Sequence, residues 1–269
     1  MRIILAIGVI GLTLLGSCSS CGPSGNGNNS ANTNRSANAN DNSAPGSIAT
    51  PPPEPVPSST VDPNFKACNP YYPLIPGSTA RYSLSFSTGL QANPFIGVDQ
   101  TKEGGATVFV QTTQIVDKSG GVNKNEMMVQ KYVCDNGKIK IVAEQTDNNV
   151  EGHKTIAEMH YSDPAYIMLD PAALTPGVTW SYSLTQTFRT PDAPPTNSDR
   201  SIAVSCTAQG EEEVTVPAGR FKALKVLKKV DKTEITEYYA RGIGLVKRTR
   251  GDGTTWELTS YSGLRPGAQ

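Results

Sequence analysis

The sequence predicts an all-β domain built from two tandem copies of one β-rich unit. The nine residues Pro76 to Leu84 match Pro176 to Leu184 at six positions, at an offset of 100 residues. In both copies a Pro-Gly pair, which is typical of a turn, precedes residues that alternate between mainly apolar and mainly hydroxyl-bearing side chains. Such alternation indicates a strand with one buried and one exposed face. Each copy is therefore expected to open with a turn and a long amphipathic strand.

Alternation recurs through the rest of the domain, between turns rich in glycine. Asn136-Gly137 is the sharpest hairpin signal, because a type I′ turn needs positive φ at both central residues, and Gly251-Asp252-Gly253 is the next. Between the copies, Pro164 to Leu174 predicts a short helix or an irregular crossover. Strands are expected near 80–88, 106–117, 125–134, 137–146, 154–161, 178–190, 200–208, 211–217, 220–230, 233–240, 243–249 and 254–262.

The predicted strands assemble into one domain at residues 64–269, with repeats at about 68–165 and 166–265. Two similar antiparallel sheets in tandem predict a curved antiparallel sheet that forms a half-open barrel or a clam, with a sandwich as the alternative. An incompletely closed barrel is the arrangement that we favour.

Residues 1–17 predict an export signal. Met1-Arg2 precedes an apolar run of 13 residues, Ile3 to Leu15, which is shorter than the roughly 20 residues of a membrane-spanning helix. Leu15-Gly16-Ser17-Cys18 resembles the lipobox of bacterial lipoproteins. The resemblance implies cleavage before Cys18, diacylglycerol on its sulfur and an N-acyl chain such as palmitate, and Ser19 implies the outer membrane of a double-membraned bacterium. An ordinary secretory signal is the alternative.

Residues 18–63 predict a disordered tether. Residues 26–42 contain eight Asn among Ser, Ala and Thr, and residues 51–57 are rich in proline. Such a segment has too few apolar side chains to offset the entropy of ordering. It is expected to span on the order of 35–40 Å, which would hold the domain away from the bilayer. A Pro-rich recognition motif at 51–57 is the alternative.

The cysteines predict one disulfide. Export permits disulfides, and a Cys68–Cys134 bond would fasten the leading edge of the domain to the first sheet. Cys206 lies on the apolar parity of its strand and is expected to be a buried thiol, while Cys21 is expected to be free or intermolecular.

One stretch has the spacing of a calcium loop, with oxygen donors at positions 1, 3, 5 and 12 and Gly152 at position 6. The strand-like flanks and Lys154 at position 8 depart from that motif, so we interpret the stretch as a hairpin with incidental acids. The weak calcium candidates are Asp147, Asn149, Glu151 and Glu158.

Charge and motifs exclude several classes of function. The chain has 24 basic and 24 acidic residues, without the basic excess of a nucleic-acid-binding protein. The odd spacing of His153 and His160 puts them on opposite faces of a strand, and metallopeptidase, serine-hydrolase and phosphate-loop motifs are absent from the sequence. We therefore expect no enzymatic activity, no cofactor and no nucleic-acid partner.

The second copy carries a run of basic residues with acids close by. We interpret this run as a charge-paired face exposed to solvent, with an anion or lipid-headgroup site as the alternative. The basic residues are Arg220, Lys222, Lys225, Lys228, Lys229 and Lys232, and the acids are Asp231, Glu234 and Glu237.

Three segments resemble the TapB-like domain of unknown function, which occurs in bacterial envelope proteins. They are Tyr71-Tyr72-Pro73-Leu74 together with Gly77 and Tyr82, Val216-Pro217-Ala218-Gly219-Arg220-Phe221, and Gly242-Ile243-Gly244-Leu245-Val246. The resemblance covers most of residues 68–262 and implies an envelope location and a fold, but no activity. Ala80 stands where an aromatic residue is usual, whereas Trp180 keeps it. At the level of fold alone, a curved sheet in a lipoprotein is similar to the lipoprotein-localisation carriers.

These observations predict a lipid-anchored, non-enzymatic envelope protein, held at the membrane by its N-terminal lipid. The concave face of its β domain is expected to bind a hydrophobic ligand or a protein partner, with Tyr82, Trp180 and Tyr182 as candidate lining residues. Core packing is the alternative for these three side chains. The alternative function is a structural or assembly scaffold with a filled interior and no ligand pocket.

Overall fold

The computed structural model describes residues 60–117, 124–191 and 199–267, so the predicted export signal, Cys18, Cys21 and nearly all of the predicted tether lie outside the described residues. The described ranges contain one 3-10 helix, Pro171–Ala173, and fourteen strands. These are β1 (Thr79–Ser85), β2 (Gln91–Ala92), β3 (Phe95–Glu103), β4 (Ala106–Asp117), β5 (Lys124–Asp135), β6 (Lys138–Val150), β7 (His153–Tyr161), β8 (Tyr166–Met168), β9 (Thr179–Arg189), β10 (Arg200–Val216), β11 (Gly219–Val230), β12 (Thr233–Ala240), β13 (Gly244–Arg250) and β14 (Thr255–Ser262). Within these ranges, no helix has the length and apolar character needed to cross a bilayer.

Twelve of the strands form a closed antiparallel barrel. Each strand pairs with the next around the ring, β2 and β8 pair with β1 and β6 outside it, and β14 pairs back with β1 from Ser262 opposite Thr79 to Thr255 opposite Ser85. The all-β prediction is confirmed. The half-open barrel or clam is replaced by a closed ring, because the first and last long strands pair with each other.

The sequence duplication corresponds to two six-stranded halves, β1 with β3–β7 and β9–β14. In each half the turn glycine has a positive φ, 82° at Gly77 and 91° at Gly177. Its N–H donates to a carbonyl of the next long strand, and an N–H of that strand donates back to the residue after the glycine. These bonds, of 2.8 to 3.1 Å, are Gly77 N to Val98 O, Val98 N to Ser78 O, Gly177 N to Ala208 O and Ala208 N to Val178 O.

The strand boundaries differ from the predicted ones at two places. β3 was not predicted, because Pro94 interrupts the chain before it and its buried residues, Phe95, Gly97 and Val98, do not alternate strictly. β10 is one strand of 17 residues rather than two, since a register shift next to Gly210 carries the ladder past the expected break. The crossover predicted at 164–174 contains β8 and the 3-10 helix.

A segment before β1 lies across one end of the barrel, and we call Asn69–Ile75 the strap. Asn69 is fully buried, and its side-chain amide donates to Gly137 O at 2.7 Å and to Leu169 O at 2.8 Å. Gly242 N donates to Pro70 O at 2.7 Å. The strap therefore connects the β5–β6 turn, the segment after β8 and the β12–β13 turn, and we call this end of the barrel the strap end.

The Asn136-Gly137 hairpin turn allows a test of how the strap end is packed. Gly137 has φ +80°, and a Cβ there would overlap the Asp170 carboxylate, which also accepts a hydrogen bond from Ala172 N at 2.9 Å. Gly152 has a similar φ of +87° in the β6–β7 turn, but a Cβ there meets no atom within 4 Å.

We predict that Gly152→Ala lowers the free energy of unfolding by about 1 kcal/mol through backbone strain alone. Gly137→Ala should cost about 1–2 kcal/mol more, because it also displaces Asp170. Urea denaturation of the two variants measures the difference. Equal losses would show that the Asp170 contact contributes nothing.

Candidate functional site

Three charged side chains meet inside the barrel, where β11, β12 and β13 lie side by side. Glu237 and Arg248 are direct cross-strand partners, and Lys228 reaches the same carboxylate from β11. Lys228 Nζ lies 2.8 Å from one carboxylate oxygen of Glu237, and Arg248 lies 2.7 Å from the other. The Glu237 side chain is 1% exposed, so its charge is compensated by protein groups rather than by water.

Tyr239 completes this group, which we call the ion cluster: Lys228, Glu237, Tyr239 and Arg248. The Tyr239 hydroxyl donates to the Glu237 carboxylate at 2.7 Å. Burial opposes ionisation of Glu237, but attraction to Lys228 and Arg248 outweighs it and lowers the pKa of Glu237 to about 2. The carboxylate is therefore charged throughout the neutral range.

A second polar group faces the lumen from β5, β6 and β7, and we call Gln130, Glu144 and Tyr161 the glutamate cluster. Glu144 accepts hydrogen bonds of 2.7 Å from the Gln130 amide and from the Tyr161 hydroxyl. Burial raises the pKa of Glu144, although these hydrogen bonds and attraction to Lys228 and Arg248 act in the opposite direction. The two clusters are therefore electrostatically coupled across the lumen, and we call them together the luminal belt.

The strap inserts an aromatic side chain above the luminal belt. The Tyr72 hydroxyl lies 3.0 Å from the Tyr132 hydroxyl, and the Tyr72 ring packs against Tyr132 and Tyr239 with ring centres 5.5 and 6.1 Å apart. Burial raises the pKa of all three hydroxyls. The strap thereby closes the mouth of the lumen with a neutral hydrogen-bonded tyrosine group.

Contacts on both sides of Tyr72 hold the strap. The Tyr71 hydroxyl donates to Glu211 at 2.5 Å, and the Arg241 guanidinium lies 4.5 Å from the Tyr71 ring centre. Burial, with the hydrogen bond to Glu211 as a second cause, raises the pKa of Tyr71 to about 12. The hydrogen bond from Tyr71 is the main reason that the pKa of Glu211 is lowered.

Comparison with known families identifies the domain that carries this belt. The DUF3108-like family matches residues 95–264. This chain belongs to the DUF3108-like family. No curated protein matches the chain. A solved structure from Bacteroides fragilis, described as that of an exported protein with a YmcC-like fold, has 14% identity and a TM-score of 0.45, and covers 74% of this chain and 98% of its own. The resemblance to TapB-like proteins stays a prediction.

The predicted lining residues occupy different parts of the DUF3108-like barrel. Tyr82 is buried against Trp256, and its hydroxyl donates to Leu245 O at 2.8 Å, where the first residues of β13 have no β14 partner. Tyr182 faces the lumen beside Tyr161, with ring centres 6.3 Å apart. Tyr82 thus fills a gap between strands, while Tyr182 lies beside the glutamate cluster.

The three predicted lining residues do not share a pocket, either around Trp180 or on the outer wall of the barrel. Trp180 is partly exposed, and its indole N–H lacks a hydrogen-bond partner among the described residues. A shallow depression of about 460 Å³ on the outer wall involves Tyr182 but neither Tyr82 nor Trp180. Four of its nine lining residues are serines: Ser162, Ser181, Ser183 and Ser205. The three predicted residues therefore do not meet in one cavity.

The calcium candidates form a salt-bridged hairpin in the DUF3108-like barrel. Asp147 pairs with Lys154 at 2.9 Å, and Glu158 pairs separately with Arg189. Glu151 has φ 52° in the β6–β7 turn, and Asn149 accepts a hydrogen bond from Gly152 N there. Over the ranges that the structure describes, no group of three or more acidic, histidine or cysteine side chains is placed to hold a metal ion.

The interpretation of the basic run as a solvent-exposed face is wrong for one pair. Lys229 and Glu234 form an exposed pair at 3.2 Å, as predicted, but Lys228 and Glu237 belong to the ion cluster inside the barrel. The alternation along the strand indicated that Lys228 faces the interior, because Val226 and Val230, two residues before and after it, are buried. Because charged residues are rarely buried, the sequence analysis predicted that Lys228 is exposed to solvent.

The three cysteines that the structure describes follow the predicted pattern, whereas the predictions for Cys18 and Cys21 lie outside the described residues. Cys68 and Cys134 form a disulfide, and Cys206 is a buried free thiol whose cross-strand partner on β9 is Trp180. Burial raises the pKa of Cys206 to about 11, so this thiol stays protonated and unreactive at neutral pH.

Acid denaturation tests the ion cluster. The pKa of Glu237 is depressed in the folded state, so its contribution to stability is present above the ordinary glutamate pKa of 4.5 and is lost as pH falls from there toward about 2. Glu237→Gln should lower the free energy of unfolding at pH 7 by about 3–5 kcal/mol, because two cations lose their carboxylate. It should also flatten the acid limb between these pH values.

Glu234→Gln is the matched control on the same strand. Glu234 and its partner Lys229 are both exposed, so this variant should change stability by less than about 0.5 kcal/mol and keep the acid limb. Urea denaturation from pH 7 to pH 2 measures both variants. An unchanged acid limb in Glu237→Gln would assign the acid sensitivity to other carboxylates.

Proposed function

We propose that this DUF3108-like protein is an exported, lipid-anchored, non-enzymatic protein of the cell envelope, and that its barrel is a rigid scaffold that meets a protein partner through its outer surface. The observation that supports this most directly is the luminal belt. Polar and charged side chains cross the middle of the barrel, and the strap covers one end of it.

A carrier of hydrophobic molecules needs a cavity lined mainly by apolar side chains. In this barrel the interior carries Glu144, Lys228, Glu237 and Arg248, and each is bonded to another protein group. An acyl chain at this level would separate these pairs and leave buried charges uncompensated, which is strongly unfavourable. The scaffold function, which the sequence left as the alternative, therefore agrees better with the interior than the hydrophobic-ligand function.

The acid–base groups of the belt support a non-enzymatic role. Each carboxylate is oriented by hydrogen bonds from neighbouring side chains rather than toward an open cleft, and Glu237 is 1% exposed. A general acid or base must reach the proton that it transfers. The belt is therefore suited to holding the barrel in one shape.

Export and anchoring are supported by two independent features. The disulfide between Cys68 and Cys134 requires an oxidising compartment, and the lipobox-like stretch ending at Cys18 supplies an acylation site. Two or more acyl chains anchor a protein firmly, whereas one is marginal. The outer membrane is the destination that Ser19 favours.

Acyl labelling tests the anchor. In cells grown with labelled palmitate, the wild-type chain should carry the label and sediment with membranes, and Cys18→Ala should abolish both. Cys21→Ala is the control, because it removes a neighbouring cysteine and should keep both. Label that persists in Cys18→Ala, or that is lost in Cys21→Ala, would contradict the assignment of the anchor.

Native mass spectrometry with in-cell crosslinking tests the scaffold function. The full chain in detergent should show no hydrophobic adduct beyond its anchor lipids after unfolding and solvent extraction. A photoreactive residue at Met127 or Val142, whose side chains are exposed on the outer wall at 37% and 40%, should yield protein adducts in cells, and the chain without it is the control. A hydrophobe released only by unfolding would overturn the proposal in favour of a carrier.

A further inference from the structure

The strap is a short connection between two fixed points. At its C-terminal end, the N–H of Gly77 donates to Val98 O at 2.8 Å. At its N-terminal end, Cys68 is bonded covalently to Cys134 on β5. A segment pinned at both ends gains little conformational freedom by leaving its seat, because it remains a short closed loop.

Breaking the disulfide changes this balance. The strap is then preceded by residues 60–67, which are held only by non-covalent contacts such as that of Phe65 with Phe109, so its release gains more conformational freedom than a closed loop allows. The contacts that remain are non-covalent: the Asn69 amide bonds, the bond from Gly242 N to Pro70 O, the Tyr71 contact with Glu211 and the Tyr72 contact with Tyr132. The disulfide is therefore positioned to decide whether the strap stays seated.

The barrel wall, unlike the strap, does not depend on the disulfide to stay in place. Its closure is the ladder between β1 and β14, which contains neither the strap nor a cysteine. Cys134 also keeps its place in the β5–β6 ladder opposite Ile139 through backbone bonds. Loss of the disulfide should thus free the strap while the ring of strands stays intact.

We propose that the strap is a removable plug, latched by the Cys68–Cys134 disulfide, and that thiol–disulfide exchange with an external dithiol releases it. A thiolate of the dithiol attacks one sulfur of the disulfide, the other sulfur leaves as a thiolate and takes up a proton, and the second thiol of the reagent resolves the mixed disulfide. Cys68 and Cys134 become thiols, and the dithiol becomes a disulfide. Cys134 is exposed at the surface, so the bond is open to attack.

Release of the plug uncovers a defined surface. Tyr72 withdraws from Tyr132 and Tyr239, whose rings form the mouth of the lumen. Tyr239 donates to Glu237, so the ion cluster lies directly behind this mouth. The oxidised protein presents a closed end, and the reduced protein presents a tyrosine-lined opening to a charged interior.

Hydrogen exchange followed by mass spectrometry tests the latch on the full chain in detergent. The probe is dithiothreitol, and the matched variant is the double substitution Cys68→Ser with Cys134→Ser, which removes the latch without a reductant. In both cases the peptide covering the strap, and the N–H of Gly242 that donates to Pro70, should exchange at least about tenfold faster than in the oxidised protein. Peptides of β1, β11 and β14 should keep their protection.

Two controls separate the latch from other effects. Cys206→Ala removes the buried thiol and should leave the response to dithiothreitol unchanged. Tyr72→Ala with the disulfide intact should speed exchange in the strap less than loss of the latch does, because the strap stays pinned at both ends. Unchanged strap exchange after reduction would overturn the proposal, and so would loss of protection in β1 and β14 together with the strap, since the disulfide would then hold the whole barrel.

Discussion

Closing twelve strands into one ring sets the constraint on which the rest of this structure depends. A barrel of eight strands has an interior that wall side chains just fill, and the diameter grows with the number of strands. The pairing of β14 with β1 closes the larger ring, so its lumen needs long side chains or an inserted segment. Both solutions are present, since Lys228 and Arg248 extend into the lumen and Tyr72 enters from the strap. The plug and the luminal belt are therefore two consequences of one closure.

Filling a lumen with charged side chains works only if every charge is compensated. Removal of one member of a buried pair leaves the other uncompensated, whereas apolar side chains of similar volume can replace a whole pair without loss. In this barrel the Glu237 carboxylate contacts Lys228, Arg248 and Tyr239 together, so the buried charges compensate one another. Such a group tolerates few alternative arrangements, because any other register of these strands would separate a cation from the carboxylate. We infer that the belt fixes the register of β11, β12 and β13 as much as it stabilises them.

The sequence predicted the strands and the duplication because both are local patterns: alternation reports one strand at a time, and the Pro-Gly turns repeat at a fixed offset. Closure could not be predicted in this way, since β1 and β14 are far apart in sequence and no pattern within either strand specifies its partner. The luminal belt was missed for a different reason. Lys228 shares the parity of buried valines, but charged side chains are so rarely buried that composition outweighed parity. Tyr82 was predicted as a candidate lining residue, with core packing as the alternative. It is buried, and its hydroxyl donates to Leu245 O, a contact between distant strands that no local pattern reveals.

The duplication also explains how the plug is placed at the strap end. The strap precedes the first Pro-Gly turn, and β8 with the 3-10 helix precedes the second, so the two segments are equivalent lead-ins to the two halves. They meet at the strap end, where Asn69 donates to Leu169 O, 100 residues further along the chain. The second lead-in is held by backbone pairing of β8 with β6. The first forms no strand pairing and is held by side chains, by the backbone bond from Gly242 N to Pro70 O and by a disulfide. Tyr72 reaches both Tyr132 in the first half and Tyr239 in the second. The strap, which is the lead-in without strand pairing, is thus the one that joins the two halves. It is attached by a disulfide, which persists only in an oxidising compartment.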